Sequence, residues 1–140
     1  MSENIKKTVF KNKGFFQFLV IYISILLLWN IYTGFYNRNL MALLPIGIQV
    51  ILLTLMFKRD KYAKIAITYW TIIFQIVAFG LIVMGTSIKI INHDSFQGIK
   101  IYTFVFDILE IITGIVILIF IQRTVKVEWI PASKLKDVQP

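Results

Sequence analysis

Long runs of apolar residues alternate with short polar segments along most of this chain. Four runs approach the length of about 20 residues that an α-helix needs to cross a bilayer, and they cover residues 14–36, 40–57, 64–87 and 99–122. The segments between them are short, so consecutive helices should lie antiparallel to each other. The pattern predicts an all-α membrane protein, a four-helix antiparallel bundle forming one polytopic domain over 1–140 with a polar tail at 123–140.

Polar side chains inside the runs recur at helical spacing. Thr103, Asp107 and Glu110 are three or four residues apart, so they share one face of the fourth predicted helix. Each of the other three runs carries an amide side chain at a comparable depth, namely Asn30, Gln49 and Gln75. Because lipid favours apolar side chains, we expect these polar positions to face one another inside the bundle and to hold it together by hydrogen bonds.

Asp107 and Glu110 are the strongest candidates for a function. A carboxylate at the centre of a membrane helix costs ~2.5–3.5 kcal/mol on insertion scales, and the apolar centres of the four runs contain no Lys, Arg or His to offset it. The pair indicates either a proton- or cation-binding centre in a transport path, or a face that docks a helix of another subunit. A chain of this size encloses little space, so we expect a homo-oligomer or an assembly with other membrane subunits.

Composition agrees with a membrane protein and argues against an enzyme. Hydrophobic residues make up 58% of the chain, and the mean hydropathy is +0.78; a soluble domain of 140 residues cannot bury that much apolar surface. The chain contains no cysteine, which excludes disulfides and thiolate chemistry. We find neither a Gly-rich phosphate loop nor a nucleophile beside the acids, so we expect no catalytic residues, no cofactor and no metal site.

The formal charge of +8 is distributed unevenly between the polar segments. Twelve Lys and Arg residues lie before the first run, at 58–64 up to the first residue of the third run, or after the fourth run, whereas Arg38, Lys89 and Lys100 lie on the other side. The positive-inside rule then places both termini in the cytoplasm, for a multi-pass protein of the inner membrane. The basic clusters are better explained as topology signals and contacts to anionic lipid than as a nucleic-acid surface.

Aromatic residues and a proline complete the expected layout. Trp29 and Trp129 fall where side chains anchor a protein at the membrane–water boundary. Pro45, near the start of the second run, is expected to kink the helix between Met41 and Pro45 because proline lacks a backbone donor and crowds the preceding turn. Residues 1–13 are expected to be a frayed terminus or a short interfacial helix.

Overall fold

The computed structural model describes residues 4–36, 38, 40–92 and 101–131. Its elements, in chain order, are β1 (Asn4–Phe10), α1 (Lys13–Tyr36), α2 (Leu43–Phe57), α3 (Ala63–Trp70), α4 (Ala78–Asn92), α5 (Ile101–Thr124) and β2 (Val125–Pro131). The chain divides into two compact units. Unit one comprises Met1–Ala66 with Thr124–Pro140, and unit two comprises Ile67–Arg123. The chain is mostly helical, as the hydrophobic pattern predicts.

Within the described residues, three helices are long and apolar enough to cross a membrane: Lys13–Tyr36, Ala63–Ile91 and Ile101–Thr124. The fourth apolar helix, α2, has only 15 residues and is about 22 Å long at 1.5 Å per residue. A 3₁₀ turn at Leu40–Ala42 directly precedes α2 and adds about 6 Å. The second predicted run therefore corresponds to two helical segments in series.

The boundaries of the other predicted helices agree to within a few residues, with one larger difference. The helix that begins at Ala63 continues to Asn92, five residues beyond the predicted end at 87. Ser87, predicted to be the last helical residue, donates its hydroxyl to the Val83 carbonyl at 2.8 Å. A serine bonded in this way is compatible with a helix interior, which is why this polar residue does not end the helix.

A π-helical segment, Thr71–Val77, joins α3 to α4. The amide of Ala78 donates to the carbonyl of Ile73, five residues earlier, as a π-helix requires. At the start of the segment the Thr71 hydroxyl donates to the Ile67 carbonyl at 2.8 Å, and such bonding to the preceding turn bends helices. The segment buries the side chains of Thr71 and Gln75.

Unit one contains a two-stranded antiparallel sheet that the sequence analysis did not predict. β1 pairs with β2 in a register that runs from Asn4 opposite Pro131 to Phe10 opposite Val125. The Lys11 amide extends the pairing by donating to the Thr124 carbonyl at 2.8 Å. The expectation of a frayed terminus or an interfacial helix before α1 is therefore wrong for Asn4–Phe10. The strand exists because its partner, more than 110 residues away in sequence, supplies the hydrogen bonds.

The turn between α2 and α3 packs along the other edge of β1. The Thr8 amide donates to the Arg59 carbonyl at 3.0 Å, and the Thr8 hydroxyl donates to the Asp60 carbonyl at 2.6 Å. The Lys7 ammonium donates to the Lys58 carbonyl at 3.1 Å. Three segments that are separate in sequence thus meet in unit one, and we call residues 4–13, 58–64 and 124–131 the basic cap.

In unit one, α1 and α2 each have buried apolar side chains along one side. Leu19 and Ile23 on α1 are fully buried, as is Met56 on α2. The Phe16 ring packs edge-on against the rings of Phe10 and Phe57. Its centroid lies 4.9 Å from the Phe10 centroid and 6.2 Å from the Phe57 centroid. These aromatic contacts attach the basic cap to the ends of α1 and α2, since edge-to-face rings add stability beyond the area they bury.

Candidate functional site

Asp107 and Glu110 lie on the same side of α5 as the buried residues of that helix. Gly114, Ile117 and Ile121 are the buried residues of this helix. Glu110 precedes Gly114 by four residues and Asp107 precedes it by seven, so both acids continue the buried face toward the N-terminus. Neither acid is fully buried or fully exposed, so each has part of its surface in contact with the protein and part accessible.

Gly114 on α5 packs closely against the π-helical segment within unit two. A Cβ atom added at Gly114 would lie 2.9 Å from Cβ of Gln75 and 3.1 Å from Cγ1 of Ile76. Gln75 itself is only 2% exposed. Glu110 is one helical turn from this contact, about 6 Å along the axis, so the acidic face of α5 begins next to a close contact with the π-helical segment.

Two of the predicted polar residues meet in unit one. Asn30 on α1 donates its side-chain amide to Oε1 of Gln49 on α2 at 3.2 Å. Gln49 is 4% exposed, so this hydrogen bond joins two apolar helices at a largely buried position. Buried amides cost free energy unless they are paired, and each of these side chains supplies a partner for the other.

The remaining predicted residues occupy varied positions. Thr103 is exposed, although its spacing places it on the same face as Asp107. Pro45 is the third residue of α2, in the first turn, where its missing amide would have had no partner in the helix. Trp29 and Trp129 are 63% and 66% exposed, in α1 and β2 respectively. The convergence of all polar residues at one depth involves both units and stays a prediction.

Candidate metal ligands do not cluster in the part of the chain that the structure describes. Among residues 4–36, 38, 40–92 and 101–131, no three His, Asp or Glu side chains come together as a metal site would require.

The end of the predicted polar tail, residues 132–140, and the start of the fourth predicted run, residues 99–100, lie outside the described residues.

The basic cap is the feature that sequence reasoning missed, although a signal was present. In both strands β-branched residues are frequent, with Ile5, Thr8 and Val9 in β1 and Val125, Val127 and Ile130 in β2. Such residues favour a pleated, half-buried surface. The composition of these two segments therefore agrees with the strands that they form.

No family model, no curated protein and no solved structure matches this chain.

Proposed function

We propose that this chain is an integral protein of the inner membrane with both termini in the cytoplasm, and that Asp107 and Glu110 form a proton- or cation-binding centre in it. Three helices with the length and apolarity of membrane spans support the first part. The charge distribution supports the orientation, because twelve of the fifteen Lys and Arg residues lie in the segments 6–13, 58–64 and 123–136, and cytoplasmic segments carry an excess of Lys and Arg.

The basic cap also supports this orientation. Contacts between β1, β2 and the turn at 58–60 require these three segments to lie on the same side of any membrane that the helices cross. Arg38, directly after α1, would then lie on the opposite side.

Cysteine labelling tests this orientation cleanly, because the chain has no cysteine of its own. In intact cells a membrane-impermeant maleimide should label Arg38→Cys but not Lys61→Cys or Lys126→Cys. In inverted vesicles the pattern should reverse. Equal labelling of all three variants in intact cells would contradict the proposed membrane placement.

The position of the acids on α5 carries the functional part of the proposal. They lie on the covered face of an apolar helix, next to the Gly114 contact, and ionisable groups inside membrane helices mark ion and proton pathways. The neighbouring side chains Phe106 and Leu109 are exposed and are suited to contact lipid or another copy of the chain. A pathway between copies in a homo-oligomer would use the accessible part of each carboxyl group.

Flux measurements in liposomes test the centre. The double variant Asp107→Asn with Glu110→Gln should abolish a pH-dependent proton or cation flux, since amides of nearly the same shape cannot ionise. The matched control is Asp60→Asn with Glu128→Gln, which removes two carboxylates from the basic cap and should leave the flux intact. A flux that persists in the first variant, or disappears in both, would contradict the assignment.

A second candidate function is an accessory subunit whose acidic face docks a helix of a larger membrane complex. The observation that favours it is the large exposed apolar surface of α5, where Leu109, Ile112 and Ile115 are each about half exposed. Purification in mild detergent separates the two functions. A partner chain that travels with the native protein but not with the Asp107→Asn, Glu110→Gln variant would favour docking over transport.

A further inference from the structure

The basic cap contains a groove, which we call the cap groove. It lies within unit one, and its lining comprises Asn4, Ile5, Lys6, Lys7, Asp60, Lys61 and Trp129. Lys6 and Trp129 are directly opposite each other in the sheet, and the Lys6 ammonium lies 5.7 Å from the centroid of the Trp129 ring. The groove therefore combines lysines from a strand and a turn with one side of an exposed indole.

The net charge of the cap groove is positive. Three of its lining residues are lysines and one is an aspartate. The carboxylate of Asp60 already accepts a hydrogen bond from the Tyr62 amide at 2.9 Å, so part of its capacity is used within its own turn. Lys7 donates to the Lys58 carbonyl, whereas Lys6 and Lys61 have their ammonium groups beside aromatic rings, at 5.7 Å from Trp129 and 4.8 Å from Tyr62.

The surroundings of the groove strengthen its positive potential. Residues 4–13, 58–64 and 124–131 together contain nine Lys or Arg and only two acids, Asp60 and Glu128. One of those acids, Glu128, lies 3.8 Å from the Lys11 ammonium. A concave surface with this excess of one charge concentrates ions of the opposite sign.

Exposed apolar side chains indicate what kind of anion fits. Trp129 is 66% exposed and Ile5 is 39% exposed, and both line the groove beside the lysines. Tryptophan and lysine together are typical of the headgroup layer of a membrane, where the ring contacts the acyl boundary and the ammonium contacts phosphate. A free phosphate would use the lysines but leave the indole and the isoleucine without a role.

We propose that the cap groove binds the phosphate headgroup of an anionic phospholipid in the cytoplasmic leaflet. The proposal rests on the membrane placement given above but not on the role of the two acids. Lys6 and Lys61 bind the phosphate from either side, and Trp129 packs against the glycerol and the first methylenes of the lipid. The bound lipid would contact β1, β2 and the turn after α2 at the same time, because residues of all three segments line the groove.

Binding of short-chain lipids to the full-length protein in a neutral detergent tests the proposal. The probes are dioctanoyl phosphatidylglycerol, dioctanoyl phosphatidylcholine and glycerol phosphate. We expect the anionic lipid to bind more tightly than either of the others. Equal affinity for the two lipids would overturn the proposal, and so would equal affinity for glycerol phosphate and the anionic lipid, because the site would then be one for a free anion.

Charge-removing variants identify the site. Lys6→Gln with Lys61→Gln should raise the Kd for phosphatidylglycerol about 25-fold, since each lysine near an anionic surface contributes roughly a factor of 5. Lys7 is left intact because it holds the turn through Lys58. The control, Arg38→Gln with Lys89→Gln, removes the same charge from positions outside the basic cap and should change the Kd less than twofold.

Failure of this inference can be told apart from failure of the proposed function. An unchanged Kd in Lys6→Gln, Lys61→Gln, or an equal loss in the control, overturns the lipid site whatever the flux measurements show. Asp107→Asn with Glu110→Gln should leave phosphatidylglycerol affinity unchanged even if it abolishes flux. A loss of lipid affinity in that variant would overturn the assignment of the site to the cap groove.

Discussion

Gly114 and Gln75 are in contact so close that the glycine has no room for a side chain. A Cβ atom at Gly114 would lie 2.9 Å from Cβ of Gln75, a distance that only a shift of one backbone could relieve. The contact joins the buried face of α5 to the π-helical segment Thr71–Val77 within unit two. The covered position of Asp107 and Glu110 depends on it, because they lie on the same face one and two turns away.

Gly114→Ala should therefore destabilise the protein by about 1–3 kcal/mol, the usual cost of overpacking, even though alanine is the better helix former. Gly80→Ala is the matched control, because no atom lies within 4 Å of its added Cβ. That variant should be neutral or more stable by up to about 1 kcal/mol. Thermal unfolding in detergent measures both, and equal melting temperatures for the two variants would contradict the close contact.

The Asn30–Gln49 hydrogen bond should contribute a measurable coupling free energy. A double-mutant cycle with Asn30→Ala and Gln49→Ala should give about 0.6–1.7 kcal/mol, from the average to the maximum found for polar contacts between membrane helices. Thr54→Val is a control on the same helix, because the Thr54 hydroxyl donates to its own helix at the Val50 carbonyl and joins no other element. Additive effects of the two alanine substitutions would show that the contact does not stabilise the pair.

Thr8 should control how firmly the turn between α2 and α3 is held. Its side chain is fully buried, and Thr8→Val removes the hydroxyl bond to the Asp60 carbonyl. That carbonyl still accepts from the Ala63 amide, so the loss should be only about 1 kcal/mol. Trypsin should then cleave the turn at 58–64 about fivefold faster. Thr8→Ser keeps the hydroxyl and should be cleaved nearly at the native rate.

Pairing of the two strands should be detectable by cross-linking. Val9 and Lys126 are directly opposite each other, and paired strand residues are close enough for a disulfide. After mild oxidation and trypsin cleavage of the turn at 58–64, Val9→Cys with Lys126→Cys should hold the two fragments together until a reductant is added. Val9→Cys with Glu128→Cys, two residues out of register, should form much less disulfide, and equal yields would contradict the register.

Helices were predictable from sequence because their hydrophobic runs are local signals. The runs at 14–36 and 99–122 correspond closely to α1 and α5, since length and apolarity alone determine them. The π-helical segment was not predictable in this way. Its widened turns do not follow from hydropathy, and Gln75 is displaced relative to the position that an ideal 3.6-residue repeat would give it.

The candidate site was predictable in part for the same reason. Helical spacing alone placed Asp107 and Glu110 on one face, and the structure adds that this face carries the buried residues of α5. Thr103 shares the spacing but is exposed. Periodicity did not predict this difference, because it assigns a residue to a face of the helix and does not say where along the helix the covered part of that face ends.

The sequence alone established that this protein is mostly helical, where its apolar helices approximately begin and end, and how unevenly its charge is distributed. Each of these properties follows from the composition of a short stretch of chain. Only the tertiary structure decided that Asn30 pairs with Gln49, that Gly114 lies against Gln75, and that Asn4–Phe10 is a strand. Those three features join residues that are 19, 39 and more than 110 positions apart in sequence. Contacts over such separations depend on how whole elements pack, and no local pattern encodes that packing.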